Sequence, residues 1–425
     1  MTKYQRRVVD SELDNLIGGG ISAISLEGAK ATGKSTTAAQ RVTKTFLLEQ
    51  PVTRQLLEAD PDQIATGATV LVDEWQNVPA TWGVVRAAVN AGAIPGQFFL
   101  TGSASAHHPS THSGAGRIVS VRMRPMTLVE RGVGNPTVSL SQLLTGKRPA
   151  ITGSSAIRLS DYVEEIARSG FPAVRHLKDH ARQAQLSGYI DRVIDHDFTD
   201  ITGRRLRNPV ALRRWMSAYA AATATVASYE TIRDAAAGGH TEKPNRTTTG
   251  PYRDAMEALF ILDPVPAWSP TNNNISELAS TPKHHLVDPA LAVTLLGLEP
   301  AALLAGDEGG IEIIRDGTLL GNLFESLVTL DVRVFAQALG ARIGHLRVHR
   351  GEHEIDLIVE RRDRKVVALE VELSGEVSTK DVRHLHWLKE KLGDNVLDVA
   401  VITTGPNAYR RSDGIAVIPA ALLGP

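Results

Sequence analysis

The sequence predicts a multidomain α/β protein, and three observations support this fold class. At 425 residues the chain is too long for one ordinary hydrophobic core, so two to four domains are expected. In the first third, short apolar runs that indicate buried strands alternate with helical segments. From about residue 273 the same alternation returns, after a middle region whose apolar spacing is mainly helical.

The composition limits the class of protein. Hydrophobic residues make up 42% of the chain and charged residues 22%, as in soluble globular proteins. No apolar run reaches the roughly 18 residues needed to span a bilayer, and the first residues lack the apolar core of a secretory signal. The absence of cysteine excludes disulfide bonds and thiolate zinc sites and is typical of a cytoplasmic protein. A net charge of −1 argues against a uniformly basic nucleic-acid coat.

The segment GAKATGKST, which follows the apolar run ISAISLE, matches the pattern G-x-x-x-x-G-K-[ST]. Glycines let such a loop turn its backbone N–H groups inward around phosphate oxygens. Lys34 would neutralise the β- and γ-phosphates, and Ser35 would bind Mg²⁺. A helix predicted at roughly residues 34–48 would direct its N-terminus at the same charge. The predicted nucleotide-binding residues are Gly28, Ala29, Lys30, Ala31, Thr32, Gly33, Lys34, Ser35 and Thr36.

Two further strands complete this pattern. The run TVLVDEWQ ends in Asp73 and Glu74, which would support the metal through water and activate the attacking water. The run QFFLT leads to Thr101 and Ser103, where polar sensors of the γ-phosphate belong. The order and spacing predict a P-loop ATPase that uses ATP and Mg²⁺, with Lys34, Asp73 and Glu74 as its catalytic residues.

Several stretches resemble those of prokaryotic AAA-like ATPases that end in a domain of unknown function. They are YQRRVVDSEL, GAKATGKSTTAA, VLVDEWQNVPATWGVVR, GQFFLTGSAS, GRIVSVRMRPMTLVERG, SGFPAV, TPKHHLVDPALAVTLLG and GNLFESLV. The resemblance implies an ATPase core, a helical lid, a winged helix and a C-terminal nuclease-like fold. We therefore expect a P-loop ATPase (AAA-like) core at 1–150, a helical lid at 151–205, a winged helix at 206–272 and a restriction-endonuclease-like α/β domain at 273–425.

Arginines in GRIVSVRMR are candidates to approach the γ-phosphate, in the same chain or from a neighbouring copy. Arg117 is the first of these, followed by Arg122 and Arg124. An arginine supplied in this way accelerates phosphoryl transfer by about 10³ to 10⁵. Alternation along a strand that faces solvent would explain the same pattern. An AAA-like core is also compatible with assembly of several copies.

The middle of the chain contains a basic patch. RRLRNPVALRR carries Arg204, Arg205 and Arg207, and the helix TTTGPYRDAMEALFIL would bring Arg253, with Lys243 and Arg246 before it, towards a phosphate backbone. Three helices followed by a strand pair indicate a winged helix. Such domains bind DNA or other proteins, so both double-stranded DNA and a partner protein are candidates.

Carboxylates converge in the last third. A helix at 320–339, a hairpin formed by LRVHRGEHEIDLIVERR and KVVALEVELSG, a helix at 378–393 and the strand NVLDVAVITTG follow the order of the restriction-endonuclease-like fold. Glu325, Asp356 and Glu370 match its acidic positions and could bind Mg²⁺, together with Glu372.

Glu372 takes the place of the lysine that normally orients the attacking water. Its negative charge opposes a phosphodiester unless a metal lies between them. Lys380 is a candidate substitute, and Arg347 or Arg350 could pair with the carboxylates instead. The sequence therefore favours a nuclease-like fold kept for binding or structure over one that cuts.

Three functional hypotheses remain open from sequence alone. The first is an Mg²⁺-dependent ATPase whose nucleotide state controls the winged-helix and nuclease-like module. The second is an ATP-gated, metal-dependent nuclease using Asp356, Glu370 and Glu372. The third is a non-enzymatic, ATP-bound switch that binds DNA or a partner protein. A metal site at His107, His108 and His112 is conceivable, although a Ser/Pro/Gly-rich loop is the simpler interpretation.

Overall fold

The computed structural model describes residues 4–103, 114–237, 246–270, 280–304, 317–348 and 352–425, with backbone alone for 246–248 and 317–318. Within these ranges no helix is long and apolar enough to cross a membrane. Some residues singled out above lie outside the described ones: His107, His108, His112, Lys243, Arg350 and the side chain of Arg246.

Two compact units make up the chain. The first contains Met1–Pro125 and Met256–Ile261, and the second contains Met126–Ala255 and Leu262–Pro425. The four domain boundaries expected from the sequence stay predictions.

The first unit is built on a five-stranded parallel sheet with the order β2-β3-β4-β1-β5. Its strands are β1 (Ala23–Glu27), β2 (Lys44–Leu47), β3 (Val70–Asp73), β4 (Phe98–Gly102) and β5 (Val119–Arg122). Its helices are α1 (Val8–Gly18), α2 (Lys34–Ala39), α3 (Pro51–Ala59) and α4 (Ala80–Asn90), with 3₁₀ turns at Pro61–Ile64 and Trp75–Asn77. Because the strands are parallel, the carboxyl ends of β1, β3 and β4 share one edge.

Both faces of this sheet are buried, which explains why its strands are continuous apolar runs. Val70 and Val72 pack into the core on one face, whereas Leu71 between them packs into the core on the other. Phe98 and Phe99 divide in the same way. Successive side chains of a strand point to opposite faces, so a strand covered on both sides has no polar positions to alternate with.

The helix predicted at 34–48 is shorter than expected. It ends at Ala39, and Lys44–Leu47 form the edge strand β2. The reason is tertiary pairing: the backbone N–H groups of Thr43 and Lys44 donate to the carbonyl of Thr69, and β2 continues alongside β3. Thr43 and Thr45 are β-branched and fit an extended strand better than a helix.

A seven-stranded mixed sheet organises the second unit, in the order β7-β12-β13-β11-β10-β9-β8. The unit's strands are β6 (Val138–Ser139), β7 (Gly153–Ser154), β8 (Arg342–Val348), β9 (His353–Glu360), β10 (Val366–Glu372), β11 (Val396–Thr403), β12 (Asn407–Arg410), β13 (Ala416–Pro419) and β14 (Leu423–Gly424). The predicted order of the last third is present with one difference: the expected hairpin is three antiparallel strands, because LRVHRGEHEIDLIVERR is divided between β8 and β9. Its identity as a nuclease-like fold stays a prediction.

Helices of the second unit precede and flank this sheet. They are α5 (Leu140–Leu143), α6 (Leu159–Arg168), α7 (Pro172–Arg175), α8 (Asp179–Arg192), α9 (Phe198–Thr202), α10 (Pro209–Ala221), α11 (Tyr229–Ala237), α12 (Arg246–Ala258), α13 (Pro289–Leu295), α14 (Pro300–Leu304), α15 (Gly317–Ala338) and α16 (Arg383–Leu392). A π-helical turn, Val193–Asp197, joins α8 to α9, and 3₁₀ turns lie at Gly393–Asn395 and Ala420–Leu422. After α12, antiparallel bridges join Leu262 to Leu286 and Val265 to Lys283. The three helices expected at 206–272 are thus present, but the described residues show two isolated bridges where a strand pair was expected, and their second partners lie beyond residue 272. The winged helix stays a prediction.

Residues 133–160 contain two short strands, β6 and β7. β7 pairs with β12, and β6 pairs with β14 near the end of the chain. These strands are only two residues long each, which is too short to give a periodic signal in the sequence.

We predict that Gly28→Ala destabilises the first unit and abolishes nucleotide binding. Gly28 has φ of +150°, and an added Cβ would lie 2.2 Å from the carbonyl oxygen of Met123. The strain and the clash should lower the free energy of unfolding by about 2 kcal/mol or more, measured by chemical denaturation. Gly83→Ala is the matched control, because open space surrounds this helical glycine. The control should be neutral or stabilising by about 0.5–1 kcal/mol. Equal stability of the two variants would contradict the prediction.

Candidate nucleotide site and carboxylate cluster

The loop between β1 and α2 has the backbone shape of a phosphate cradle. Three of its residues have positive φ: Gly28, Ala31 at 66° and Gly33 at 97°. Positive φ costs a glycine little, which is why the sequence places glycines at two of the three positions. Thr32 closes the loop internally, as its hydroxyl donates to the carbonyl of Ala29 at 3.0 Å. Lys30, by contrast, is exposed.

Lys34 lies inside this loop. Its ammonium donates to the carbonyls of Gly28 at 2.8 Å and Ala29 at 2.9 Å, and the residue is 5% exposed. Burial lowers the pKa of Lys34 to about 8, an effect that the carboxylates of Glu74 and Asp73 partly oppose. The Lys34 ammonium is therefore buried in the cradle with neutral carbonyls as its hydrogen-bond partners.

Asp73 joins two strands and the helix α2. Its Oδ1 accepts a hydrogen bond from the hydroxyl of Ser35 at 2.6 Å and another from the hydroxyl of Thr101. Thr101 pairs with Asp73 in the register of β3 and β4 and is fully buried. The structure thus brings together three residues that the sequence predicted separately, two for the metal and one as a sensor.

Glu74 lies one residue beyond β3, in a left-handed conformation with φ of 53°. Its Oε2 accepts from the hydroxyl of Ser103 at 2.9 Å and from the amide of Gln76. A non-glycine residue in this conformation is held by its surroundings, and here two donors fix the carboxylate. The sequence predicted Glu74 and Ser103. It missed Gln76, whose only signal was its place two residues after Glu74.

This donor set fits Mg²⁺ and a nucleoside triphosphate. A hydroxyl and a carboxylate oxygen are ligands that Mg²⁺ prefers, and Ser35 and Asp73 already place theirs side by side. Bound Mg²⁺ would neutralise charge on the phosphates.

Arg7 is a further residue of this site that sequence reasoning missed. Its guanidinium donates to the carbonyl of Thr32 in the loop at 3.0 Å and to that of Arg124 at 2.9 Å. The side chain is buried, and it links the start of α1 to the loop and to the segment after β5. Only the resemblance of YQRRVVDSEL drew attention to this stretch, and it gave Arg7 no role.

The arginines of GRIVSVRMR lie at different ends of the sheet. Val119 pairs with Ile24 near the start of β1, so Arg117 lies at the edge opposite the loop, where it hydrogen-bonds with Asn90. Arg122 pairs with Glu27 at the loop edge, and its guanidinium lies 4.9 Å from the Phe260 ring centre. The predicted sensor Arg117 is thus not brought to the other site residues within its own chain.

The predicted DNA-binding residues fall into two groups. Arg204, Arg205 and Arg207 are all exposed, between α9 and α10. Arg253 is instead engaged locally, with Asp254 at 2.9 Å and with the ring of Tyr229 at 5.0 Å.

The second unit brings together three carboxylates that the sequence singled out: Glu325 and Glu370 are buried, and Asp356 is half-buried. The structure adds Lys283, whose ammonium lies 2.8 Å from Glu325 Oε1 and 2.8 Å from Asp356 Oδ1. The other oxygen of Asp356 accepts from the backbone N–H of Val371 at 2.9 Å. Across the described ranges, no group of three or more His, Cys, Asp or Glu side chains is arranged to hold a metal ion. With the lysine in place, the cluster does not fit a divalent metal.

Two effects set the pKa values of the cluster: burial, which raises the pKa of a carboxyl group, and the nearby charge of Lys283, which lowers it. Burial alone would raise the pKa of Asp356, but Lys283 holds it below its ordinary value. Burial and the neighbouring Asp356 raise the pKa of Glu325 to about 8 and that of Glu370 well above its usual range. Glu372 is half-buried, and burial with Asp381 and Asp356 raises its pKa to about 7.

The lysine that reaches these carboxylates is not the one proposed from sequence. Lys380 is exposed, and Arg347 pairs loosely with Glu354 at 3.9 Å. Lys283 belongs to TPKHHLVDPALAVTLLG, a stretch that the resemblance marked without assigning a role. No spacing rule could connect it to Asp356.

Comparison with known families assigns three segments. Residues 21–131 match a family described as an AAA domain, residues 159–302 a domain of unknown function (DUF8612), and residues 320–423 a domain of unknown function (DUF4143). The first match covers the cradle and all three of its strand ends. It supports the predicted AAA-like P-loop ATPase core of this segment. The other two descriptions name no activity.

Individual relatives add little about activity. Uncharacterized proteins of Mycobacterium bovis and Mycobacterium tuberculosis are each 26% identical over 287 residues, spanning 65% of this chain and 56% of theirs. The chain therefore spans just over half the length of these curated relatives. A Walker-type ATPase of Pyrococcus abyssi aligns with a TM-score of 0.36 and 14% identity, covering 69% of this chain and 96% of that one.

We predict that nucleotide affinity falls about tenfold between pH 7 and pH 9, because Lys34, with a pKa of about 8, loses its positive charge over this range. Binding of a non-hydrolysable ATP analogue, followed by fluorescence at both pH values, measures the effect. Lys34→Arg is the control: its guanidinium stays charged, so the pH dependence should disappear even where affinity is lower. An equally steep dependence in this variant would contradict the assignment to Lys34.

Proposed function

We propose that the chain is an Mg²⁺-dependent ATPase whose nucleotide state controls the second unit. The observation that carries the proposal is that the hydroxyls of Ser35 and Thr101 both donate to one carboxylate oxygen of Asp73, beside the cradle of Lys34. These are the parts that phosphoryl transfer to water requires: an anion cradle, a metal site and an oriented carboxylate. The AAA domain match to residues 21–131 supports the same conclusion.

Each residue has a distinct task in this proposal. Backbone N–H groups of the loop and Lys34 bind the phosphates, Ser35 and Asp73 hold Mg²⁺, and Glu74 accepts a proton from the attacking water. Ser103 and Gln76 orient the Glu74 carboxylate, and Thr101 fixes Asp73. Glu74 is half-buried, so water has access to the carboxylate without full solvation.

A non-enzymatic switch is the second candidate, and one observation favours it. Glu74 Oε2 already accepts two hydrogen bonds, from Ser103 and Gln76. These two bonds occupy the lone pairs of that oxygen, so it cannot also accept a hydrogen bond from an attacking water. A protein in which these bonds persisted would bind ATP and release phosphate very slowly.

In this proposal the second unit acts by binding DNA or a partner protein. Arg204, Arg205 and Arg207 project from one short connection into solvent, which suits contacts to phosphates more than to base edges. Sequence-independent binding of this kind is compatible with the overall net charge of −1, because the charge is local.

We predict that Glu74→Gln lowers phosphate release with Mg²⁺-ATP by about 10²-fold or more, because general-base catalysis contributes about 10² to 10⁴. ATP binding should be retained, as the amide keeps the shape of the side chain. Phosphate release is measured with and without double-stranded DNA, and the same samples are run on a gel to detect cut DNA.

The outcomes separate the three hypotheses. Turnover that is stimulated by DNA and lost in Glu74→Gln establishes a DNA-linked ATPase. Tight ATP binding with negligible turnover of the wild type establishes the switch. Metal-dependent cutting that disappears in Asp356→Ala would instead establish the ATP-gated nuclease.

We predict that Arg205→Ala with Arg207→Ala weakens DNA binding and makes it less sensitive to salt. Each lost phosphate contact should reduce the slope of log affinity against log salt by about 0.9. Titration of labelled double-stranded DNA at several salt concentrations measures this slope. Lys147→Ala with Arg148→Ala removes the same charge from an exposed site elsewhere and should leave the slope unchanged. An equal loss in both double variants would show that total charge, not the patch, is responsible.

A further inference from the structure

We propose that Lys283 serves as a permanent internal cation in the carboxylate cluster, occupying the position that a divalent metal would take between Glu325 and Asp356. The cluster would then be a metal-free structural centre of the second unit, not a hydrolytic site. The proposal concerns residues outside the nucleotide cradle and does not depend on ATP hydrolysis.

Two of the three donors of Lys283 are hydrogen-bonded to carboxylates of the cluster. An ammonium has three N–H groups. Two meet Glu325 and Asp356 at 2.8 Å each, and the Glu354 carboxylate lies 3.7 Å away, close enough for attraction between the charges but too far for a hydrogen bond. The side chain is 1% exposed. A lysine that oriented water or stabilised a phosphate would need a donor directed at solvent or substrate, and Lys283 directs its donors at carboxylates.

Both carboxylate oxygens of Asp356 are used as well. Asp356 meets the ammonium with one oxygen and the Val371 N–H with the other. Magnesium requires oxygens at about 2.0–2.1 Å in an octahedral arrangement, which the same oxygens cannot supply while they bind an ammonium. Glu370 Oε1 lacks a hydrogen-bond partner among the described residues, but this single oxygen is too few ligands to hold a metal ion.

Backbone pairing delivers Lys283 to this position. Lys283 and Val265 exchange both backbone hydrogen bonds at 2.9 Å, and Ala267 forms a parallel bridge with His345 of β8. The backbone segment that carries Lys283 is therefore linked, through the segment of Val265 and Ala267, to the edge strand β8. The side chain of Lys283 then connects these bridged segments to α15, which carries Glu325, and to β9, which carries Asp356.

Buried ion clusters of this type have an asymmetric energetic character. Removal of one partner leaves an uncompensated buried charge and is strongly destabilising, whereas loss of the whole cluster costs far less. The proposal therefore predicts that removing Lys283 alone costs more stability than removing Lys283 together with its carboxylate partners.

The test is Mn²⁺ binding without nucleotide, in an Asp73→Asn background that removes the metal ligand of the cradle. With Lys283 present, we expect no Mn²⁺ binding that depends on Asp356. Lys283→Met removes the cation while keeping the length of the side chain. We expect it to gain Mn²⁺ affinity by about tenfold or more, because two carboxylates then lack a counter-charge. Its thermal unfolding temperature should fall and be partly restored by Mn²⁺. Lys380→Met, an exposed lysine of the same unit, should change neither readout.

A compensated variant keeps the proposal testable if Lys283→Met does not fold. Lys283→Met combined with Glu325→Gln and Asp356→Asn leaves only uncharged side chains at these three positions, and we expect it to fold without gaining Mn²⁺ affinity. The proposal is overturned if the protein with Lys283 intact binds Mn²⁺ in a manner abolished by Asp356→Asn. It is equally overturned if folded Lys283→Met gains no Mn²⁺ affinity, or if the compensated variant is no more stable than Lys283→Met alone.

Discussion

The common edge at which three parallel strands end is the constraint on which the candidate nucleotide site depends. Asp73 and Thr101 lie level with one another, and Glu27 lies one residue further along, only because β1, β3 and β4 pair in parallel and in register. The cradle starts from this edge, and Asp73 can then bind the hydroxyls of Ser35 and Thr101 with one oxygen. A shift of one residue in any of these strands would turn the acidic side chain to the other face of the sheet.

Two buried lysines illustrate how partners decide what a charge can do. Lys34 donates to neutral carbonyls, so burial dominates and its pKa is lowered to about 8. Lys283 is more deeply buried, yet the attraction of Asp356 and Glu325 outweighs burial and raises its pKa above the ordinary value. The first ammonium gains by meeting an anion that arrives from solution. The second already pairs with carboxylates of its own chain. Lys34 can therefore bind an added anion, whereas the charge of Lys283 is already compensated.

The sequence could predict what is local or follows from a strand end. The cradle is one contiguous motif, and Asp73, Glu74, Thr101 and Ser103 each follow an apolar run, so their meeting was foreseeable from parallel pairing. Contacts set by tertiary structure were not: Lys283 lies 42 residues from Glu325 and 73 from Asp356 in sequence. Arg7 acts on the loop through carbonyls, which no side-chain pattern records. The strand β2 was mistaken for helix because its pairing with β3 outweighs local preference.

The pairing of early segments with the last strands has a consequence for synthesis. β6 and β7 find their partners in β14 and β12, and Ser139 hydrogen-bonds with Pro425 across 286 residues. At about 5–20 residues per second, a ribosome completes these partners roughly 15–60 s after it has made Ser139. These pairings of the second unit therefore cannot form before β12 and β14 have been synthesised. Until then residues 138–154 lack the strands that complete them, so they need protection from wrong pairing during that interval.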